Sequence, residues 1–498
     1  MEYFQYVLPV FSLDILWAIA LGTLGGIIIG ALPGLTATMG VALLVPLTFG
    51  MDPVKGLNML IGIYVGGIYG GCISAILVKT PGTPASAATV LDGYPMAQRG
   101  EAGKALGMAT IASFIGGIFS TIVLSTLAPQ LAGVALQFGP SEFFALAFFG
   151  LSIISSLSGD ILKGLISGLL GVLLSCVGAD PVSGAQRYTF GYMGFASGFA
   201  FTPALIGLFA ISEVFVQLEN IFDDKIQEIK VSGAWPTKAE MKESTGTLLW
   251  GSIIGTIVGI IPGTGSGTAS WISYNEARRM SKKPEKFGKG YIVGVAATES
   301  ANNAVCGGAL VPLLALGIPG DVVTAVLMGG LMVQGLAPGP MLFHDNPGIV
   351  VGIFTGSFIA NIFMFIFGMA GIRYFSKILK IPKKILTVAI IIFCFIGSYA
   401  INMNLVDLYT MLGFGVLGYI LHKFNFSQAA VCIALILGPL AESNLRLGLM
   451  NVDNDIWAFC SRPITASFLI LGFLSMFWPI ISKLLKMRKQ NSGQPASS

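Results

Sequence analysis

Polar side chains are scarce in this chain, and those able to do chemistry gather around four Pro-Gly pairs set in apolar sequence. Pro33-Gly34 is followed by Thr36 and Thr38, and Pro262-Gly263 by Thr264, Gly265, Ser266, Gly267, Thr268 and Ser270. Proline removes a backbone donor and glycine releases the chain from helical geometry, so each pair interrupts a helix. Beyond such a break, a half-helix N-terminus offers unsatisfied N–H groups and a partial positive charge, which suit a carboxylate, while unwound carbonyls suit Na⁺. The other two pairs, Pro81-Gly82 and Pro319-Gly320, each carry a neighbouring charge. Lys79 precedes the first, which Thr83 follows, and Asp321 follows the second. An ionisable group in an apolar span is costly and needs a partner. Lys79 and Asp321 therefore either pair near the membrane midplane or, for Lys79, snorkel to an interface.

The run Glu299-Ser300-Ala301-Asn302-Asn303 adds a carboxylate and two amides that can donate to an anion and accept around a cation; the alternative use of the amides is to glue helices together. The solute-binding set expected from these positions is Pro33, Gly34, Thr36, Thr38, Lys79, Pro81, Gly82, Thr83, Gly263, Thr264, Gly265, Ser266, Gly267, Thr268, Asn302, Asn303, Pro319 and Gly320. The cation-binding set is Ser266, Thr268, Glu299, Asn303 and Asp321. Glu142, Asp160, Lys163, Glu213, Asp407 and Glu442 fall near the ends of apolar segments and read as interfacial.

Other chemistries fit poorly. Gly263, Gly265 and Gly267 superficially resemble a phosphate loop, but no lysine stands in the Walker position. The two histidines, His344 and His422, are too isolated for a metal site, and the six cysteines stand singly in apolar surroundings as packing residues. Without a catalytic constellation, an enzyme, a cofactor, a structural metal and a nucleic-acid partner are not expected.

The elements that must position these residues are membrane helices. Only 10% of the 498 residues are charged and 54% are hydrophobic, against roughly 25% charged in a soluble domain. Uncharged runs such as 15–51, 105–141 and 346–372 exceed the ~20 residues that cross a bilayer. The expectation is an all-α polytopic membrane protein with about 10–14 membrane segments. The first run lacks a basic flank, so it does not read as a cleaved signal peptide. Basic loops at 278–289 and 373–384 and the tail with Lys483, Lys486, Arg488 and Lys489 are expected on the cytoplasmic side by the positive-inside rule.

The breaks recur by duplication. Gly22, Gly26, Gly30, Pro33 and Gly34 reappear 229 residues later as Gly251, Gly255, Gly259, Pro262 and Gly263, and Gly70, Pro81 and Gly82 reappear 238 residues later as Gly308, Pro319 and Gly320. Two repeats follow, 1–218 and 247–498, with a polar linker over 219–246. Loop 49–56 is nearly free of basic residues where its counterpart 278–289 is rich in them, and loop 98–104 is basic where its counterpart 338–346 has none. Corresponding loops thus point to opposite sides, the pattern of an inverted-topology repeat with broken helices or re-entrant hairpins. That architecture favours a secondary transporter over a passive channel, a membrane enzyme or an assembly scaffold.

The motifs Gly30-Ala-Leu-Pro-Gly34, Val45-Pro-Leu-Thr-Phe-Gly50, Pro81-Gly-Thr-Pro-Ala-Ser-Ala-Ala88, Leu91-Asp-Gly-Tyr-Pro95, Glu299-Ser-Ala-Asn-Asn303, Gly317-Ile-Pro-Gly320 and Pro338-Gly-Pro340 resemble the large membrane subunit of bacterial tripartite tricarboxylate transporters, over about 13–480. Lys79 and Thr298 depart from that pattern, in which an amide and a proline are expected. The resemblance implies inner-membrane uptake of a tricarboxylate such as citrate, or a related carboxylate. It implies a Na⁺ or H⁺ gradient as the drive, without ATP. It also implies a small membrane subunit and a periplasmic solute-binding protein as partners.

Overall fold

The computed structural model describes residues 4–153, 160–219, 235–379 and 383–476. Parts of the linker (220–234), Lys380 in the second basic loop, and the basic tail lie outside them. The described residues are mainly helical, and eight helices among them are long and apolar enough to cross a membrane. The helices that matter here are α1 (Leu13–Ala31), α2 (Ala37–Leu44), α3 (Pro53–Val78), α4 (Val90–Gln98), α5 (Ala102–Ala135), α6 (Pro140–Ile153), α7 (Ile161–Ser175), α8 (Phe201–Glu219), α9 (Lys238–Ile260), α10 (Gly265–Met280), α11 (Ile292–Leu316), α12 (Val322–Val333), α13 (Pro347–Gly371), α14 (Lys383–Asn402), α15 (Leu405–Lys423) and α16 (Gln428–Met450). The eight apolar spans leave out α11, whose polar run Thr298–Asn303 is fully buried. With several shorter apolar helices beside the long ones, the polytopic all-α expectation holds.

The helices form two compact units, one of residues 1–136 and 201–419, the other of 137–200 and 420–498. In the smaller unit, α7 packs on α16 where Gly171 admits Val431 and Ala434. A two-stranded hairpin, β1 (Gly178–Ala179) and β2 (Gln186–Arg187), is tied to α16 by Arg187–Glu442 at 2.6 Å and Arg446–Asp180 at 2.7 Å. Backbone N–H groups of Ser183 and Val182, together with Arg446, hold the Asp180 carboxyl well below the usual carboxylate range.

In the larger unit the duplication is visible as packing. A methyl group on Gly22, Gly26 or Gly30 of α1 would strike the backbone of Met59, Ile63 or Gly67 of α3. One on Gly251, Gly255 or Gly259 of α9 would strike Ala297, Ala301 or Val305 of α11. Every partner pair is related by the same two sequence offsets. Small residues let these backbones approach closely, the usual device where lipid offers no hydrophobic drive for helix association.

All four breaks form. Gly34 (φ +89°) and Gly263 (φ +79°) turn the chain after α1 and α9, while Lys79 (φ +60°) and Gly317 (φ +71°) end α3 and α11 at equivalent positions. After each of the latter, the chain doubles back: Gly82 lies against Gly30 and Gly71, and Gly320 against Gly259 and Ala309. Two further helices cross between the repeats. α5 packs on α11, where Gly116 meets Ser300, and α13 packs on α3, where Asn58 Nδ2 donates to Gly352 O at 3.1 Å.

Between the repeats, α3 and α11 cross. Asn303 Nδ2 donates to Val65 O at 3.4 Å, and these two residues are counterparts under the 238-residue offset. Leu57 and Ile61 share an apolar cleft with Leu310, Leu313 and Leu314, so residue numbers rise along α3 as they fall along α11. The two equivalent helices therefore run in opposite directions past a point near Val65 and Asn303.

Candidate functional site

Glu299 and Asn302 lie one turn apart on α11, on a single face. Glu299 is fully buried. Its Oε1 accepts from Thr89 Oγ1 at 2.5 Å, and its Oε2 accepts from Ser113 Oγ at 3.3 Å and Asn302 Nδ2 at 3.1 Å. These donors come from the residue that precedes α4, from α5 and from α11. All are neutral, and among the described residues no lysine or arginine makes an ion pair with Glu299. A buried carboxylate that keeps its charge must find compensation elsewhere or take up a proton.

The segment after the Pro81-Gly82 break carries hydroxyls three residues apart, Thr83, Ser86 and Thr89, and brings the last of them to Glu299. Thr89 bonds Glu299 and also reaches Thr298 Oγ1 at 2.9 Å. Thr83 Oγ1 and Ser86 Oγ lie over Gly71, filling the space a side chain there would need. The tip of α10 closes on the same segment: Ser270 Oγ donates to Ala85 O at 2.7 Å, and Gly267 stands against Pro84. The hydroxyl-rich loop 264–270, the 83–89 segment and the Glu299–Asn303 run, separated by up to 220 residues in sequence, thus meet in one place.

Within that loop the side chains have different uses. Thr264 spends its hydroxyl on Ile261 O at 3.0 Å and on Val258 O, capping the broken helix. Ser266 is half-buried and Thr268 is exposed. At the first break, Thr36 Oγ1 caps α2 by accepting from Met39 N at 3.2 Å, and Thr38 is largely buried beside it. The carbonyl of Gly34 accepts from Gln217 Nε2 at 3.5 Å, and the Glu213 carboxylate lies next to Gly34. Glu213 is therefore placed against the first helix break.

Pro319-Gly320 and Asp321 form the second tip. Gly263 N donates to Gly320 O at 2.7 Å, so the two breaks of that repeat are joined. Asp321 is buried and accepts from Tyr64 OH at 2.6 Å, from Thr324 N at 2.8 Å and from Thr324 Oγ1 at 2.8 Å, closing a capping box at the start of α12. Lys79 does not pair with it. Lys79 lies 15 residues beyond Tyr64 on α3 and its cap, ~22 Å along the axis at 1.5 Å per residue. It is exposed, with Nζ 5.8 Å from the Tyr94 ring centroid. The proposed ion pair is corrected accordingly: Tyr64 and Thr324 satisfy Asp321 without a cation.

Sequence reasoning missed Tyr64, Ser86, Thr89 and Ser113 as members of the site. The repeat carried part of the signal, since the 238-residue offset aligns Tyr64 with Asn302 and Thr83 with Asp321. Ser113 had none, because its role depends on which helix packs against α11.

The family model described as "Tripartite tricarboxylate transporter TctA family" matches residues 16–433. A protein of Agrobacterium vitis, described as an uncharacterized 52.8 kDa protein in the TAR-I ttuC' 3' region, is 39% identical over 476 residues, covering 95% of each chain. Another from the same organism, an uncharacterized protein in the TAR-II ttuC' 3' region, is 37% identical over 222 residues, covering 45% of this chain and 92% of its own. No solved structure matches the chain.

Proposed function

The chain belongs to the tripartite tricarboxylate transporter TctA family, and from that premise we propose that it is the carrier subunit for cation-coupled uptake of a tricarboxylate such as citrate, or of a related carboxylate. The observation that carries this reading is the meeting of the segment after Pro81 with the tip after Pro262, one helix break from each repeat, beside a buried carboxylate that has no basic partner among the described residues. A group so placed is suited to bind the coupling ion, Na⁺ or H⁺, because either one offsets the cost of the buried charge. The loops after Pro33 and Pro262, with Asn302 and Asn303, supply the hydroxyls, amides and unwound backbone for the solute. Lys79, exposed at the end of α3, offers a positive charge to an arriving anion.

Alternating access on this reading uses the repeat. Inverted topology of two repeats, 1–218 and 247–498, joined by a linker over 219–246, is supported by the opposite run of α3 and α11 and by the contrasting loop charges. Each tip then faces a different side of the inner membrane, with basic loops 278–289 and 373–384 and the tail cytoplasmic. A small membrane subunit and a periplasmic solute-binding protein complete the system.

Gradient-driven uptake of labelled citrate into vesicles, with Glu299→Gln as the test variant, examines the coupling role. Glutamine keeps the shape and removes the charge. Uptake is expected to fall at least tenfold at unchanged membrane abundance. Uptake by the variant with the wild-type dependence on the cation gradient would remove Glu299 from the coupling site.

A further inference from the structure

Counterparts in the two repeats solve the same local problem differently. In one, Tyr64 of α3 reaches Asp321 at the tip, and the pair is closed by a 2.6 Å hydrogen bond. The 238-residue offset turns Tyr64 into Asn302 and Asp321 into Thr83, so Asn302 stands opposite Thr83 as Tyr64 stands opposite Asp321. The substitution shortens one arm and deletes the carboxylate. The result is that Thr83 Oγ1, Ser86 Oγ and Asn302 Oδ1 are all buried and none has a hydrogen-bond partner among the described residues. Asn303 Oδ1, on the crossing itself, shares that condition.

Each of these orphans is an oxygen. Asn302 is fixed in this sense because its Nδ2 is committed to Glu299, which turns the carbonyl oxygen away as an acceptor. Buried acceptors without donors are costly, and a positive ion satisfies several at once. The nearest charge is Glu299, one turn away on α11, held only by neutral donors. The next rung of the same ladder, Thr89 to Glu299, is bonded, so within this ladder the unpartnered oxygens are those of Thr83, Ser86 and Asn302.

We propose that one desolvated monovalent cation, Na⁺ in the first instance, binds between Thr83, Ser86 and Asn302, with Glu299 balancing its charge from the second rank. The counterpart position is already closed by Tyr64 and Asp321, so the duplication leaves this position open in one repeat and not in the other. The inference rests on the carrier reading and shifts direct ion contact from the residues after Pro262 to the segment after Pro81.

Thermal unfolding of the purified chain in detergent tests it, with NaCl titrated against choline chloride or KCl at constant ionic strength. The wild-type midpoint is expected to rise with Na⁺ and saturate. Thr83→Val and Ser86→Ala, each removing one oxygen with little change of volume, are expected to weaken the apparent Na⁺ affinity at least tenfold while keeping a cooperative transition in choline. A wild-type midpoint indifferent to Na⁺, or responding to pH alone, overturns the site, as does an unaltered Na⁺ response in both variants. The carrier reading fails separately, if wild-type vesicles show no gradient-driven carboxylate uptake.

Discussion

At the scale of single residues, Lys79 separates two roles that its sequence position confounds. It is a charge beside a helix break, and it is also the only non-glycine among the two left-handed caps that end α3 and α11, the other being Gly317. A left-handed conformation costs an ordinary residue ~1–2 kcal/mol, and the greater unfolded freedom of glycine returns ~0.5–1 kcal/mol of that gain. Lys79→Gly is therefore expected to stabilise the fold by about 0.5–1 kcal/mol, read as a higher thermal midpoint in detergent. A lower midpoint would mean that the lysine side chain contributes more than its stacking on Tyr94 suggests. The residues around the site were partly legible in the sequence. Glu299, Asn302, Asn303 and Thr83 announced themselves as polar groups in apolar runs, and Asp321 did the same. Their partners did not, because the assignment of Asp321 to Tyr64 instead of Lys79 depends on how far along α3 the second tip reaches.

At the scale of elements, the glycine pattern was the most informative text in the chain. Its spacing gave the duplication, and the structure turns that spacing into two helix pairs, α1 with α3 and α9 with α11, whose backbones touch at equivalent points. What the pattern could not reveal is the exchange of α5 and α13 between repeats, since nothing in either helix records which partner it will cover. The orientation of the elements in the membrane gives a direct prediction. In a background without native cysteines, Phe49→Cys and Lys282→Cys mark counterpart loops, and Phe49 is 49% exposed. An impermeant thiol reagent added to intact cells should label the first and spare the second. Labelling of both from one side would mean that the repeats are parallel, and the charge contrast between their loops would need another cause.

For the whole molecule, a carrier requires that the helix-break segments beside Glu299 open in turn, with the solute moved only as a bound species. A pore built from the same helices would pass solute down its gradient but would not couple opposing fluxes. Counterflow in proteoliposomes distinguishes them. Vesicles containing the purified chain with the proposed small membrane subunit and solute-binding protein are loaded with unlabelled citrate and diluted into a trace of labelled citrate. A carrier gives transient accumulation of label above its equilibrium level, at a rate that depends on the coupling cation. Label that only equilibrates, at a rate indifferent to the internal citrate, would contradict it.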